Sequence, residues 1–286
     1  MSSAVITASG LSKRYGPVRA LDGIDLSVEP GRIVGLIGRN GAGKTTALKA
    51  MLGLTSFEGR LEVLGVDPFR RRHEVMKRAC FIADVAVLPR WMKVGQLIEY
   101  VAASHPGFNR DKAMALLDTK IIGLRSRIKT LSKGMVTQLH LAVIMAIDAA
   151  LLVLDEPTLG LDLLYRKQFY DALLNDYFDE SRTIVISTHQ VEEIEHILTD
   201  VLFIDNGRLL LSSSVEALGE RYLEVLVAKH REVEARALGP VAERESFGQK
   251  LMLFEGRSRP ELAAFGETRV PRIADLFVAK VAGGAR

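Results

Sequence analysis

Between residues 33 and 53 the chain reads Ile33-Val34-Gly35-Leu36-Ile37, then Gly38-Arg39-Asn40-Gly41-Ala42-Gly43-Lys44-Thr45-Thr46, then a run that ends on Leu52-Gly53. The first five residues, after the Pro30-Gly31 turn and Arg32, form a continuous apolar run, the pattern of a strand buried on both faces. Thr45 to Leu52 reads as a helix stopped by Gly53. A glycine-rich turn between such a strand and such a helix has a definite chemistry. Its glycines let the backbone curl so that successive N–H groups point inward at phosphate oxygens, and the helix N-terminus adds a partial positive charge. Lys44 is placed to reach the β- and γ-phosphates and the Thr45 hydroxyl to ligate magnesium. The stretch from Gly38 to Thr46 is therefore read as the phosphate cradle of a nucleotide.

Working outward, Ile24, Leu26 and Val28 alternate with polar residues at the period of a half-buried strand. Short strands are expected at Leu61–Leu64 and Phe81–Ala83. Helical spacing follows at Val94, Leu97, Ile98 and Val101, at Ala113, Leu116 and Leu117, and at Leu139, Val143 and Ile147. Apolar strands return at Leu151–Leu154, Thr183–Ser187 and Val201–Ile204, separated by helical stretches around Leu163–Tyr177 and Val191–Leu198. Strands alternating with helices predict an α/β sheet covered on both faces. Asn206-Gly207, between Val201–Ile204 and Leu209–Leu211, predicts a hairpin. Beyond about Leu218 the pattern shifts to mixed charge with short apolar strands at Leu223–Val227 and Leu251–Phe254, closed by a helix around Arg272–Val281, whose apolar positions are expected to pack on those strands.

The second chemical signal is Leu151-Leu152-Val153-Leu154-Asp155-Glu156-Pro157. An apolar strand ending in paired acids puts Asp155 at the carboxyl edge of the sheet, where open α/β folds bind ligands. Asp155 would hold magnesium through water, and Glu156 would orient and polarise the attacking water. Two merely solvated strand-end acids are the alternative, weakened by the presence of the loop. His189 follows the strand Thr183–Ser187 and could bond a γ-phosphate; by itself a satisfied surface histidine is the commoner reading.

Composition bounds the partners. The chain has 286 residues, 48% hydrophobic and 26% charged, which excludes disorder, collagen and coiled coil for the whole. Lys and Arg number 38 against 35 Asp and Glu, a net charge of +3. So small an excess does not suggest coating of nucleic acid, and no nucleic-acid partner is expected. Cys80 is the only cysteine, which excludes a disulfide framework and a cysteine zinc site and fits a reducing cytoplasm. The longest apolar run, Leu139 to Leu154, is broken by His140 and Asp148, whereas a membrane span needs roughly 20 apolar residues. Met1–Ile6 carries no secretion signal. A soluble protein is expected, with any membrane connection made through a partner.

On these motifs the chain resembles the nucleotide-binding subunits of ABC transporters, over about Val5 to Leu218. Besides the Walker A loop and Walker B strand, Leu131-Ser132-Lys133-Gly134-Met135 is similar to the LSGGQ signature. Thr158-Leu159-Gly160-Leu161-Asp162 matches the D-loop, His189 the switch histidine, and Tyr15 the aromatic that stacks on adenine. The resemblance implies a P-loop NTPase core of mostly parallel sheet, with an antiparallel β subdomain and a helical subdomain at about 85–148, within residues 1–218. A small C-terminal α+β accessory unit would occupy 219–286. It also implies that two such domains, identical or sister subunits, pair head-to-tail around Mg2+ and ATP. Ser132 and the Gly134 N–H would then contact the γ-phosphate held by the partner. Integral-membrane permease subunits of exporter type would complete the transporter and hold the chain peripherally at the cytoplasmic face of the cell membrane. A soluble ABC-type protein acting on ribosomes or repair complexes would carry two ATPase domains or a long coiled coil, and a small-molecule kinase would need an acceptor pocket and lid; this chain has one phosphate loop, no heptad run and a signature sequence.

Some positions depart from the pattern or admit two readings. The signature has Lys133 and Met135 for its first glycine and its glutamine; Lys133 either adds charge near nucleotide or points to solvent. Aligning Phe81–Ala83 with the strand before the Q-loop puts Asp84 at the glutamine position, either as a ligand of magnesium-bound water or as an ordinary loop acid. Arg70-Arg71-Arg72-His73 is either a contact for anionic lipid or an acidic partner loop or a solvated face. Trp91, with Pro89 and Met92, is either a permease contact or core. Cys80 is expected to be packing.

Overall fold

The structure is a computed structural model that describes residues 4–83, 88–118, 122–246 and 248–283. Its first part runs β1 (Ile6–Tyr15), β2 (Val18–Val28), β3 (Ile33–Ile37), α1 (Lys44–Met51), β4 (Glu58–Val63), α2 (Arg72–Met76) and β5 (Ala79–Ile82). The helices α3 (Val94–Ser104), α4 (Arg110–Asp118) and α5 (Lys133–Met145) follow. Then come β6 (Leu151–Asp155), α6 (Leu163–Ala172), β7 (Thr183–Thr188), β8 (Asp200–Asp205) and β9 (Arg208–Ser214).

A six-stranded sheet in the order β5-β6-β7-β3-β8-β9 is parallel except for β9, which returns antiparallel to β8. Asn206 (φ 48°) and Gly207 (φ 75°) make the turn between them, as the Asn-Gly pair predicts. The continuous apolar runs are explained by the two faces of this sheet. Val34, Leu36, Leu151, Val153, Val185, Leu202 and Ile204 pack against α1 and a three-stranded antiparallel sheet, β2-β1-β4. Their neighbours in sequence, including Ile33, Ile37, Leu152, Leu154, Ile184, Ile186, Val201 and Phe203, pack on the opposite face with the residues of α3, α4, α5 and α6. Each such side chain, when fully buried, contributes about 1.5–3 kcal/mol of transfer free energy, so both faces are strongly determined.

Two expectations change. The stretch Val191–Leu198 is not an α-helix but two 3₁₀ turns, Val191–Glu193 and Glu195–Ile197. Val191, Ile194, Ile197 and Leu198 are buried, but the backbone N–H groups bond three residues back, Glu193 to Gln190, Ile194 to Val191 and Ile197 to Ile194. The helix expected to Tyr177 is α-helical only through Ala172, and Leu173–Tyr177 forms a π-helical turn. β5 begins two residues earlier than Phe81; the expected Q-loop residue, Asp84, lies outside the described residues.

The remainder comprises α7 (Val215–Arg221), β10 (Tyr222–Val227), α8 (Glu232–Ala237), β11 (Ala242–Ser246), β12 (Gln249–Glu255), α9 (Arg259–Ala263), β13 (Gly266–Arg269) and α10 (Ile273–Gly283). A four-stranded antiparallel sheet, β11-β12-β10-β13, encloses a small core of its own with α8 and α9 around Val225, Val227, Met252 and Phe254. Its other face carries a charge cluster. Glu224, only 3% exposed, pairs with Arg269 at 2.9 Å and Arg244 at 3.5 Å, and Arg244 also pairs with Asp275 of α10 at 2.9 Å. The apolar positions of α10 do not pack only on these strands. Ile273 and Leu276 enter the core of the large sheet, and Phe277 meets Phe203 of β8 edge-on with ring centroids 5.3 Å apart.

Trp91 is 70% exposed, which removes the core reading. Cys80 is buried and burial pushes its thiol up to about 12, so it is packing and not a nucleophile. Within the basic run, Arg71 pairs with Glu74 and Arg70 with Asp67 at 3.5 Å.

Candidate functional site

β3 delivers the chain into the loop at the carboxyl edge of the large sheet, and α1 carries it away. Gly43, at φ 112°, is the residue before α1; a Cβ there would lie 2.5 Å from the carbonyl oxygen of Ala20, so both conformation and space demand glycine. The turn brings Lys44 inward, 6% exposed. Its Nζ donates to the carbonyls of Gly38 (2.7 Å) and Arg39 (3.3 Å) and pairs with Glu156 Oε1 at 3.1 Å. The loop thus closes around its own ammonium group.

β6 ends beside β7 in parallel register, Asp155 opposite Ser187. The Ser187 hydroxyl donates to Asp155 Oδ1, and the Glu156 N–H is held at 3.1 Å from both the Ser187 carbonyl and its Oγ. Glu156 is at φ 48°, an unusual backbone conformation for a glutamate that costs roughly 1 kcal/mol or more. The strained turn aims its carboxylate across the sheet edge. There His189 Nδ1 donates to Glu156 Oε2 at 2.9 Å while Lys44 engages the other oxygen. Lys44, Glu156 and His189, predicted from three separate stretches, therefore form one connected group, with Asp155 immediately behind it.

A cleft of about 380 Å³ opens over Lys44 and Glu156, lined by residues 39–46, Glu156, Val18, Arg19, Ala20 and the Asn206-Gly207 turn. Arg39 on its rim is fixed to Asp205 by two hydrogen bonds of 3.0 Å. Tyr15, the expected adenine platform, stands at the end of β1, 48% exposed, with the Lys13 ammonium 5.1 Å from its ring; it is not among the cleft's lining residues. Ser187 and Arg19 were not foreseen. Ser187 falls opposite Asp155 only through the order of the strands, which no local motif states.

The signature residues lie elsewhere. Ser132 caps α5, its Oγ accepting from the Met135 N–H at 3.2 Å, and Lys133 is exposed. Gly134 is buried. Leu131 and Lys133 line a different hollow, together with the D-loop residues Leu159, Gly160 and Leu161. A single copy of the chain does not bring Ser132 and Gly134 to its own phosphate loop.

For magnesium, the described residues contain no cluster of three or more His, Cys, Asp or Glu that could cage an ion. That suits this ion, which keeps several waters and is held by one or two protein oxygens plus substrate phosphates. The exposed Thr45 hydroxyl in the first turn of α1, and Asp155 with Ser187 on one oxygen, fit such a donor set. Among the described residues no helix is long and apolar enough to cross a membrane.

Residues 21–159 match the family model described as ABC transporter, and residues 125–195 match a model described as AAA domain, putative AbiEii toxin, Type IV TA system. The chain is 33% identical over 245 residues to a daunorubicin resistance ATP-binding protein of Streptomyces coeruleorubidus, covering 82% of this chain and 75% of that protein. It is 32% identical to the bacitracin transport ATP-binding protein of Bacillus licheniformis, over 78% of this chain and 74% of that one. The Nod factor export ATP-binding protein I of Ralstonia nicotianae is 30% identical over 277 residues, 92% of this chain and 85% of that protein, a match that enters the C-terminal sheet. Among solved structures, an ATP-binding subunit of an ABC transporter superposes with a TM-score of 0.65 at 23% identity, covering 76% of this chain and 92% of that one, which shares the fold.

Proposed function

We propose, from the premise that this chain belongs to the ATP-binding proteins of ABC transporters, that two copies, or one copy and a sister subunit, close head-to-tail on Mg-ATP and drive a separate membrane permease in the direction of export. The chain binds ATP and is an ATPase coupled to transport. In this reading Lys44 and the backbone of residues 38–46 hold the phosphates and Tyr15 stacks on adenine. Thr45 and Asp155 hold magnesium, which supplies charge neutralisation on the phosphates. Ser132 and Gly134 complete the site of the partner, and residues 219–286 form an accessory unit. Export is favoured by relatives whose own names speak of drug resistance, bacitracin transport and Nod factor export.

The catalytic step follows from the connected carboxylate. Glu156 accepts a proton from the attacking water while the water oxygen bonds the γ-phosphorus and the bridge to the β-phosphate breaks, leaving ADP and phosphate. His189, held through Nδ1, is positioned beside the departing charge. Loss of the γ-phosphate removes the contact on which Ser132 and Gly134 close, and the pair opens. The observation that carries this reading is that Lys44, Glu156 and His189 form one connected group at the phosphate loop, while Ser132 caps α5 beside a different hollow lined by Leu131 and Lys133.

Glu156→Gln tests it. The amide keeps the shape and loses the base, so ATP hydrolysis should fall at least about 100-fold, and ATP with magnesium should convert the monomer to a stable dimer in size-exclusion chromatography. A variant that turns over ATP at the wild-type rate, or stays monomeric with ATP bound, overturns the assignment.

A further inference from the structure

The first turn of α6 presents two consecutive side chains to two different motifs. Tyr165 lies on the signature: a Cβ built on Gly134 would fall 2.0 Å from its hydroxyl oxygen and 2.2 Å from its ring carbon Cζ, so Gly134 is glycine to admit this phenol. Arg166 turns the other way. Its Nε donates to the Leu161 carbonyl of the D-loop at 2.7 Å and its Nη1 to Gln190 Oε1 at 3.0 Å, and it pairs with Glu193. Gln190 directly follows His189, and Glu193 lies in the first 3₁₀ turn beyond it. The helix start itself is fixed, since Asp162 Oδ1 accepts the Tyr165 N–H at 3.1 Å. The Thr158 hydroxyl, at the head of the D-loop, lies 3.0 Å from the Tyr170 phenol and 3.4 Å from Glu193. Arg166 and Glu193 are 23% and 19% exposed, shielded enough that charge-assisted bonds of this kind hold one geometry.

We infer that Arg166 and Tyr165 are positioning residues that couple the switch histidine to the signature within one chain: Arg166 joins the segment after His189 to the D-loop, and Tyr165 joins the same helical turn to Gly134. A displacement of His189 at the γ-phosphate of the chain's own ATP is thereby passed to the signature that the chain lends to its partner. The route is contiguous, made of packed and hydrogen-bonded groups that move with one helix start. The inference deepens the proposed function and rests on its head-to-tail pairing.

The test uses the full chain with Arg166→Met, Arg166→Lys and Gln190→Ala, reading steady-state ATP hydrolysis and thermal unfolding. Dimer formation with ATP is then read with and without Arg166→Met in the Glu156→Gln background. Arg166→Met should lower kcat about tenfold or more while KM for ATP stays within about twofold. Arg166→Lys should recover part of the loss, because an ammonium can still serve the Leu161 carbonyl. Gln190→Ala, which removes a single bond, should lower kcat about threefold with an unchanged melting temperature. In the Glu156→Gln background, Arg166→Met should weaken ATP-dependent dimerisation about tenfold. Wild-type kcat in Arg166→Met overturns the inference. So does a variant that merely melts early, is not recovered by lysine, and is accompanied by a kinetically normal Gln190→Ala. If Glu156→Gln alone fails to dimerise, the head-to-tail reading falls, and with it the signature half of this coupling. If it dimerises and Arg166→Met changes neither dimer nor kcat, only the present inference falls.

Discussion

His140 lies in the third turn of α5, the helix that Ser132 caps, and is 6% exposed with no partner for Nδ1 among the described residues. Burial holds its pKa down at about 4, against an ordinary 6.5. The sign follows from the order of the two values. Between pH 6.5 and 4 the unfolded chain binds a proton at this position and the folded chain does not, so stability falls as pH drops through that window and is flat below it. The difference corresponds to about 3 kcal/mol, of which a little under half is already lost at pH 5.5. His140→Leu removes the titration and the orphaned nitrogen together. A chain of this size need not unfold in two states, so the informative assay is hydrogen exchange of the α5 amides, corrected for the intrinsic pH dependence, at pH 7.5 and 5.5. Wild-type α5 should lose roughly 1 kcal/mol of protection between the two, and His140→Leu should lose markedly less. Equal losses in the two proteins would refute the reasoning, since the acid sensitivity would then reside in other groups.

Three further outcomes bear on the site. Lys44→Ala removes the ammonium that closes the loop and leaves Glu156 with His189 alone; ATP binding measured by titration calorimetry should weaken about 100-fold or more, and unchanged affinity counts against the phosphate cradle. Ser187→Ala deletes a donor to Asp155 and one of two holds on the strained Glu156 amide, worth about 1–2 kcal/mol, so kcat should drop about tenfold with nucleotide affinity largely kept. Ser132→Arg places a long cation at an exposed helix start; the lost cap costs about 1 kcal/mol of stability, visible as a small shift in melting, while ATP turnover should be crippled. Normal turnover would separate the signature from catalysis.

What was legible in the sequence is what is local. The curl of residues 38–46, the paired acids after β6 and the Asn206-Gly207 turn each depend on a few adjacent residues, and each takes the shape its residue types require. The two-faced burial of β3, β6 and β7 was also legible, because an apolar residue at every position leaves a strand no exposed side. Ser187 was not, since its meeting with Asp155 and Glu156 depends on β7 lying next to β6. The 3₁₀ turns of Val191–Ile197 were not legible either, since Val191, Ile194 and Leu198 stand at i, i+3 and i+7, a spacing an α-helix shares. Glu224 reads from sequence as one more surface charge; its burial comes from arginines 20 and 45 residues away.

The fate of α10 ties these threads together. By sequence it closes an appended unit, yet Ile273 and Leu276 share a core with Phe203 and Val201 of the large sheet, alongside Tyr222 and Leu253 of the small one. Its N-terminus is held by Glu195, whose Oε1 accepts the Ile273 N–H at 2.7 Å. Glu195 belongs to the second 3₁₀ turn after His189, as Glu193 belongs to the first. The segment between the switch histidine and β8 is therefore gripped from two directions, by Arg166 at Gln190 and Glu193 and by α10 at Glu195. A 3₁₀ stretch has poorer hydrogen-bond geometry than an α-helix and is more easily deformed, so its outside contacts decide where it rests. The composition changes near Leu218, but the contacts that hold the segment after His189 come from both sides of that point.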